Sequence, residues 1–206
     1  MKLYFSPFAC SLAAHIALRE AELDFELVRT DFRDKKLPDG GSLFDVNAMG
    51  QVPTLLRDDG GVLTENSAVL CYLADRRPSK GLAPAPESEE RYQLQRWLSF
   101  IGTEVHKKGL ALIFDPTTPD AVKEFGRAAL AKPLRVLEKE LAGRELLLGE
   151  TFTVADAYLY WALTLLPHAG VPDEPYPALR AYRKRITARP AVREALEVEK
   201  AARSEA

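Results

Sequence analysis

The sequence predicts an α/β first part with element order βαβαββα, joined by a short linker to an all-helical second part. Three observations predict it. Short β-like runs alternate with helical patterns over residues 1–77. The stretch 78–87, PSKGLAPAPE, carries three prolines and one glycine, which disfavour helix and strand alike. From residue 88 onward, apolar residues recur at helical spacing. The expected organisation is therefore a domain over 1–77, a linker over 78–87 and a helical domain over 88–206.

In the first part, Lys2–Ser6 and Phe25–Asp31 read as strands, and Ser11–Ala21 between them repeats Leu12, His15/Ile16 and Leu18 as a helix does. This is a β-α-β unit, which implies a parallel strand pair. After a polar, glycine-containing stretch read as a short helix or loop come two more short strands, Pro53–Arg57 and Val62–Thr64. They flank the turn Asp58-Asp59-Gly60-Gly61, a hairpin signal. Asn66–Arg77 then places Val69, Leu70, Leu73 and Ala74 on one helical face.

In the second part, Leu94, Trp97, Leu98, Ile101, Val105 and Leu112 form a stripe over Ser88–Phe114. Val122, Phe125, Leu130, Leu134, Leu137 and Leu141 form another over Pro119–Ala142, with Pro133 inside it as an expected kink. Further helices are expected over Thr153 to about Ala169, Pro177–Ala188 and Pro190–Ala201. Thr153-Val154-Ala155-Asp156 has the form of a capping box, a folding signal that accounts for Asp156 without a catalytic role.

Composition narrows the function classes. With 28 Lys+Arg against 30 Asp+Glu in 206 residues, the chain has no electrostatic footprint for phosphate backbones or anionic membranes, so neither nucleic acid nor a membrane is an expected partner. Cys10 and Cys71 cannot build a disulfide framework and form no CxxC pair. His15, His106 and His168 are too scattered for helical metal chelation, so no metal is expected. The start of the chain does not read as a secretory signal, and the apolar run Ala157–Leu166 is too short for a bilayer span, which makes the cytoplasm the expected location.

Chemistry concentrates in three places. Cys10 falls where a strand gives way to a helix start, whose unpaired N–H groups and dipole stabilise a thiolate, its own or a ligand's; the plain alternative is a cysteine packed as a small hydrophobe. Val52-Pro53 stands at the mouth of a strand, and a cis bond there would turn the Val52 backbone outward to pair with an extended peptide. Thr64-Glu65-Asn66-Ser67 ends a strand and begins a helix. It offers Glu65 for an ammonium and the helix start for a carboxylate, or else simple N-capping by Asn66 or Ser67. In the helical part, His106 has Ser99, Gly102 and Thr103 on its flank, a stripe that leaves room for a ligand; the other reading is a surface histidine. His15 lies about 140° round the helix from Cys10 and reads as packing.

The segments SPFACSLAAHIALRE, NAMGQVPTLL and LTENSAVLCYLAD resemble the thioredoxin-like domain of glutathione S-transferases, the bacterial beta class in particular. TEVHKKG, FTVADAYLY and TARPAVREAL extend the resemblance through the helical part. It implies the glutathione S-transferase fold and a cytoplasmic homodimer that uses glutathione as co-substrate, with a small hydrophobic electrophile as second substrate. By resemblance, Cys10 faces the glutathione sulfur and His106 approaches it across a cleft. Val52 and Pro53 hold its cysteinyl backbone, Glu65, Asn66 and Ser67 its γ-glutamyl end, and Lys35 its glycine carboxylate. Glu104 and Lys107 stand at the subunit boundary. Phe8, Phe114 and Trp161 are expected to line the hydrophobic substrate pocket.

Three positions depart from the family pattern. Phe8 replaces a glycine and either narrows the cleft or supplies an aromatic wall, Ala48-Met49 removes a positive charge near the tripeptide, and Asn66 either puts an amide at the γ-glutamyl contact or shifts that contact by one residue to Ser67. The expected activity is conjugation of the glutathione thiolate. A thiol transfer through a Cys10 mixed disulfide, or a non-catalytic binding or adapter role on the same scaffold, are the competing readings.

Overall fold

The computed structural model describes Met1–Ser204. Its residues cluster into two compact units, Met1–Ala83 with the segment from Arg189 onward, and Pro84–Ala188.

The first unit is built on a four-stranded sheet of order β2-β1-β3-β4. Strand β1 (Lys2–Phe5) pairs in parallel with β2 (Glu26–Arg29), in the register Lys2 to Glu26 and Phe5 to Arg29. It also pairs antiparallel with β3 (Thr54–Leu56), which turns back into β4 (Val62–Leu63). The parallel pair and the hairpin are those the sequence predicts. The crossover is helix α1 (Ser11–Glu20), in which every residue from Ser11 to Leu18 is buried. Helix α2 (Asn66–Arg76) packs beside it. A two-sided burial of this kind explains why α1 carries few polar residues: Leu12, Ile16 and Leu18, all fully buried, each contribute about 2 kcal/mol of transfer free energy.

Two expectations change in this unit. The second α element of the predicted order is a single 3-10 turn, Leu43–Asp45, capped by Ser42, whose N–H donates to Asp45 Oδ2 at 3.0 Å. The surrounding Pro38, Gly40, Gly41 and Gly50 leave no room for an amphipathic repeat. The last helix, α8 (Pro190–Ser204), joins the first unit instead of the helical one, so the 88–206 assignment is corrected. Its apolar face, Val192 and Ala195, is buried against α1, and Arg189 forks onto Glu20 with bonds of 2.6 and 2.8 Å. The expected linker shortens as well: Pro78–Lys80 forms a 3-10 turn of the first unit and Leu82 is buried, so the boundary falls between Ala83 and Pro84.

The second unit opens with a continuous helix. Helix α3 (Glu89–Phe100) is capped by Ser88, which accepts from the Arg91 N–H at 3.1 Å, and has Glu89 and Glu90 in its first turn, where the helix dipole favours them. It passes into a π-helical stretch, Ile101–Leu110, and then α4 (Ala111–Phe114). A Cβ at Gly109 would lie 2.4 Å from Leu130 Cδ2, and one at Gly126 would lie 3.0 Å from the Gly109 carbonyl, so these two glycines let this helix and α5 (Asp120–Leu141) approach closely. Helix α5 continues through Pro133, and Leu130, Leu134, Leu137 and Leu141 are buried as its stripe predicts. Val122 and Phe125, at the start of the stripe, are exposed instead.

Helix α6 (Val154–Leu165) is the centre of this unit, buried from Val154 through Leu163. The predicted capping box, with Thr153 as N-cap and Asp156 at N3, is present, and Thr153 N–H and Oγ1 donate to Asp156 Oδ2 at 2.8 and 2.9 Å. The carboxylate does more than the local motif requires. Its Oδ1 also accepts from the Leu147 N–H at 3.0 Å and from the Tyr182 hydroxyl of α7 (Pro177–Thr187) at 2.9 Å. Burial pushes the Asp156 carboxyl up, and these four donors oppose that shift. We expect Asp156→Ala, which strands the donors in a dry site, to destabilise the protein by about 3 kcal/mol or more. Thr153→Ala should cost about 1 kcal/mol. Urea unfolding followed by circular dichroism checks both, and a loss at Asp156 no larger than that at Thr153 would contradict the account.

Candidate functional site

The Cys10 environment is assembled by the way β1 feeds α1. After Phe5 the chain makes a tight turn in which Ala9 N–H donates to the Ser6 carbonyl at 3.0 Å, and Phe8 sits in the left-handed region at φ 60°. Cys10 follows as the N-cap residue of α1, half-buried and making no side-chain capping bond. Its thiol donates to the Val52 carbonyl at 3.0 Å, and the Val52–Pro53 bond is cis, the condition under which the sequence reading has the Val52 backbone turned outward. Asn66, at the start of α2, donates from Nδ2 to the Cys10 carbonyl at 3.2 Å.

Three expected site residues from distant parts of the chain, Cys10, Val52 and Asn66, are thus joined directly. Asn66 is buried and its Oδ1 has no hydrogen-bond partner, a polar atom that a ligand donor at this place would satisfy. Next to it, Glu65 holds φ 65°, ψ 121°, an uncommon conformation for a side-chain-bearing residue, and its carboxylate is exposed; Ser67 is half-buried. Such local strain concentrates where a chain must present groups to a ligand.

Lys35 is not joined to this cluster. Its ammonium donates to the Phe32 carbonyl at 2.5 Å and lies over the Phe32 ring, so its bonds stay within its own loop. Phe8 is half-buried, and its backbone N–H donates to Glu199 Oε2 at 2.7 Å. Sequence reasoning missed Glu199. The signal was available: in α8 the buried positions 192, 195 and 199 follow helical spacing, and a glutamate occupies the last of them.

In the second unit, His106 lies in the π-helical stretch, a geometry frequent at functional sites. Its Nδ1 is 2.7 Å from the Tyr158 hydroxyl, and its ring stands edge-on to Trp161 with centroids 4.6 Å apart. Trp161 is 3% exposed and stacks with Tyr158, so it acts as a support for the histidine, while Phe114 is 38% exposed. Glu104 pairs with Lys108 one turn along the same helix at 3.2 Å, and Lys107 is exposed. Among the described residues there is no group of three or more His, Cys, Asp or Glu arranged to hold a metal ion, and no helix long and apolar enough to cross a membrane.

Burial, helped by the charge of Lys107, lowers His106 to about 4 from its ordinary 6.5. The imidazole is therefore neutral at pH 7, able to donate one hydrogen bond and accept another but not to supply a positive charge. Because the folded state binds this proton less readily than the unfolded chain, this group's contribution to stability is greatest above pH 6.5 and declines as pH falls from 6.5 toward 4. Titration of His106 by NMR is expected to give a midpoint near 4; a midpoint near 6.5 would contradict the burial argument.

Comparison with known proteins bears on the whole chain. Residues 5–76 match the glutathione S-transferase N-terminal domain and residues 68–190 the glutathione S-transferase C-terminal domain. The chain is 42% identical over 199 residues to glutathione S-transferase GstA of Escherichia coli O157:H7, covering 97% of this chain and 98% of that protein. It is similar to a sphingomonad glutathione S-transferase complexed with glutathione, with a TM-score of 0.93 at 47% identity over 97% of this chain and 99% of that one. The bacterial beta class glutathione S-transferase of Sphingomonas chungbukensis gives a TM-score of 0.93 at 44% identity, over 97% and 98% of the two chains. With both domain models matched, and a relative this similar along nearly its full length, the chain belongs to the glutathione S-transferase family.

Proposed function

We propose that this protein binds glutathione and transfers its thiolate to small hydrophobic electrophiles. The observation that carries the reading is the convergence of Cys10, Val52 and Asn66 at the start of α1, with the unpartnered Asn66 Oδ1 beside them. An extended peptide laid along Val52 has a strand-like backbone partner there, and its sulfur lies near Cys10 and the helix start. The γ-glutamyl end falls to Glu65, Asn66 and Ser67. Lys35 reaches the glycine carboxylate only by leaving its bond to Phe32.

The chemistry needed is modest. A free thiol near pKa 8.5 is only a few per cent ionised at pH 7, so lowering it by about two units, a change of ~2.7 kcal/mol, raises the thiolate about 25-fold. The remaining acceleration comes from holding the electrophile in line with the sulfur. With an aryl halide the thiolate attacks the ring carbon, the new C–S bond forms, the halide leaves and the thiol proton passes to solvent. Within the second unit, His106 is neutral and braced by Tyr158. Assembly as a cytoplasmic homodimer, with Glu104 and Lys107 at its boundary and a role in detoxification, belongs to the same proposal.

Cys10 itself favours a second activity, reduction of mixed disulfides, because its sulfur is the atom beside Val52. The two uses separate on Cys10→Ala. Conjugation needs only glutathione's own sulfur and is expected to persist within about tenfold, the worth of one charge-assisted hydrogen bond. Disulfide reduction through Cys10 is expected to fall to background. A panel of aryl halides, peroxides and mixed disulfides with glutathione reads both, and calorimetry showing no glutathione binding at millimolar concentration would remove the proposal.

A further inference from the structure

One buried polar chain lies outside the residues assigned above, and its donors and acceptors can be placed without ambiguity. Arg19 Nε, which can only donate, meets His15 Nε2 at 2.9 Å. That nitrogen must accept, so the proton of the neutral imidazole resides on Nδ1, and Nδ1 donates to Glu199 Oε1 at 3.1 Å. The other carboxylate oxygen, Oε2, accepts from Phe8 N–H at 2.7 Å. Both His15 and Glu199 are 0% exposed. Arg19 is held from outside by Glu194 at 2.9 Å, and Arg203 lies over the Phe8 ring.

A carboxylate fully removed from water is costly, and a hydrophobic residue at position 199 would pack α8 onto α1 without that cost. What the carboxylate does that a hydrophobe cannot is hold the N–H of Phe8, two residues before Cys10, in a left-handed conformation that a phenylalanine seldom adopts. We propose that Glu199 is a positioning residue for Cys10, and that through it the last helix of the chain sets where the thiol stands relative to the start of α1. The proposal rests on the reading that Cys10 faces the glutathione sulfur, but its test does not involve glutathione.

Glu199→Gln keeps the shape but offers one acceptor and one donor where two acceptors are needed, so either Phe8 or His15 meets a mismatch. The readout is the pH midpoint of Cys10 alkylation by iodoacetamide, followed by mass spectrometry on the Cys10 peptide. Loosening the turn takes the sulfur away from the helix start, so the midpoint is expected to rise by about half a pH unit. Removing a nearby negative charge would by itself lower the midpoint, and a role in packing alone would leave it where it is; either result overturns the proposal. Should the variant fail to fold, hydrogen exchange on the unaltered protein decides. The Phe8 amide is expected to be protected to the level of the α1 core, and exchange at the free-peptide rate overturns the proposal. Loss of the glutathione-dependent reactions in the panel above, with this midpoint shift intact, would remove the functional reading and leave the positioning role standing.

Discussion

The constraint on which the first unit depends is that α1 is buried on nearly all sides. Because β1, α2 and α8 all pack against it, its first turn cannot shift, and the residue at that turn is Cys10. A helix start has exposed N–H groups and a positive dipole end wherever it occurs. Here that common feature is fixed in space, and the residue that opens it is held twice: the Cys10 thiol donates to the Val52 carbonyl, and the Asn66 side-chain amide donates to the Cys10 carbonyl. The precision of the site follows from apolar packing beneath it more than from any bond within it.

The second unit answers the same need differently. Asp156 collects four hydrogen bonds in a dry interior and ties the start of α6 to the preceding loop and to α7, which makes α6 a rigid post. From that post Tyr158 and Trp161 brace His106. Burial that keeps the imidazole neutral and a hydrogen bond that limits its rotation act together, so the histidine is defined both in charge and in direction. The close glycine contact at Gly109 and Gly126 seats the π-helical stretch that carries it against α5.

Most of the elements were legible because each had a local cause. The hairpin had its Asp-Asp-Gly-Gly turn, the helices had apolar stripes, and α6 had a capping box that is present as read. Cys10, Val52 and Asn66 were legible as candidates for similar reasons. Partnership was not. Nothing in the repeat of α8 states that its apolar face lies on α1, because an amphipathic helix specifies that it will be covered and not by what. The resemblance sets Lys35 at the glycine carboxylate, yet its loop folds its ammonium back onto Phe32.

His15 shows the division most clearly. Its place in an apolar stripe correctly marked it as buried, and the sequence alone accounts for the parallel strand pair, the hairpin, the helix start at Cys10, the two-part organisation and the family resemblance. Only the tertiary structure decided that His15 carries a hydrogen bond from Arg19 on to Glu199, residues 4 and 184 positions away, and thence to the backbone beside Cys10. The physical reason is that local periodicity encodes which side of an element avoids water, whereas the pairing of buried polar atoms depends on distances set by every other packed element at once.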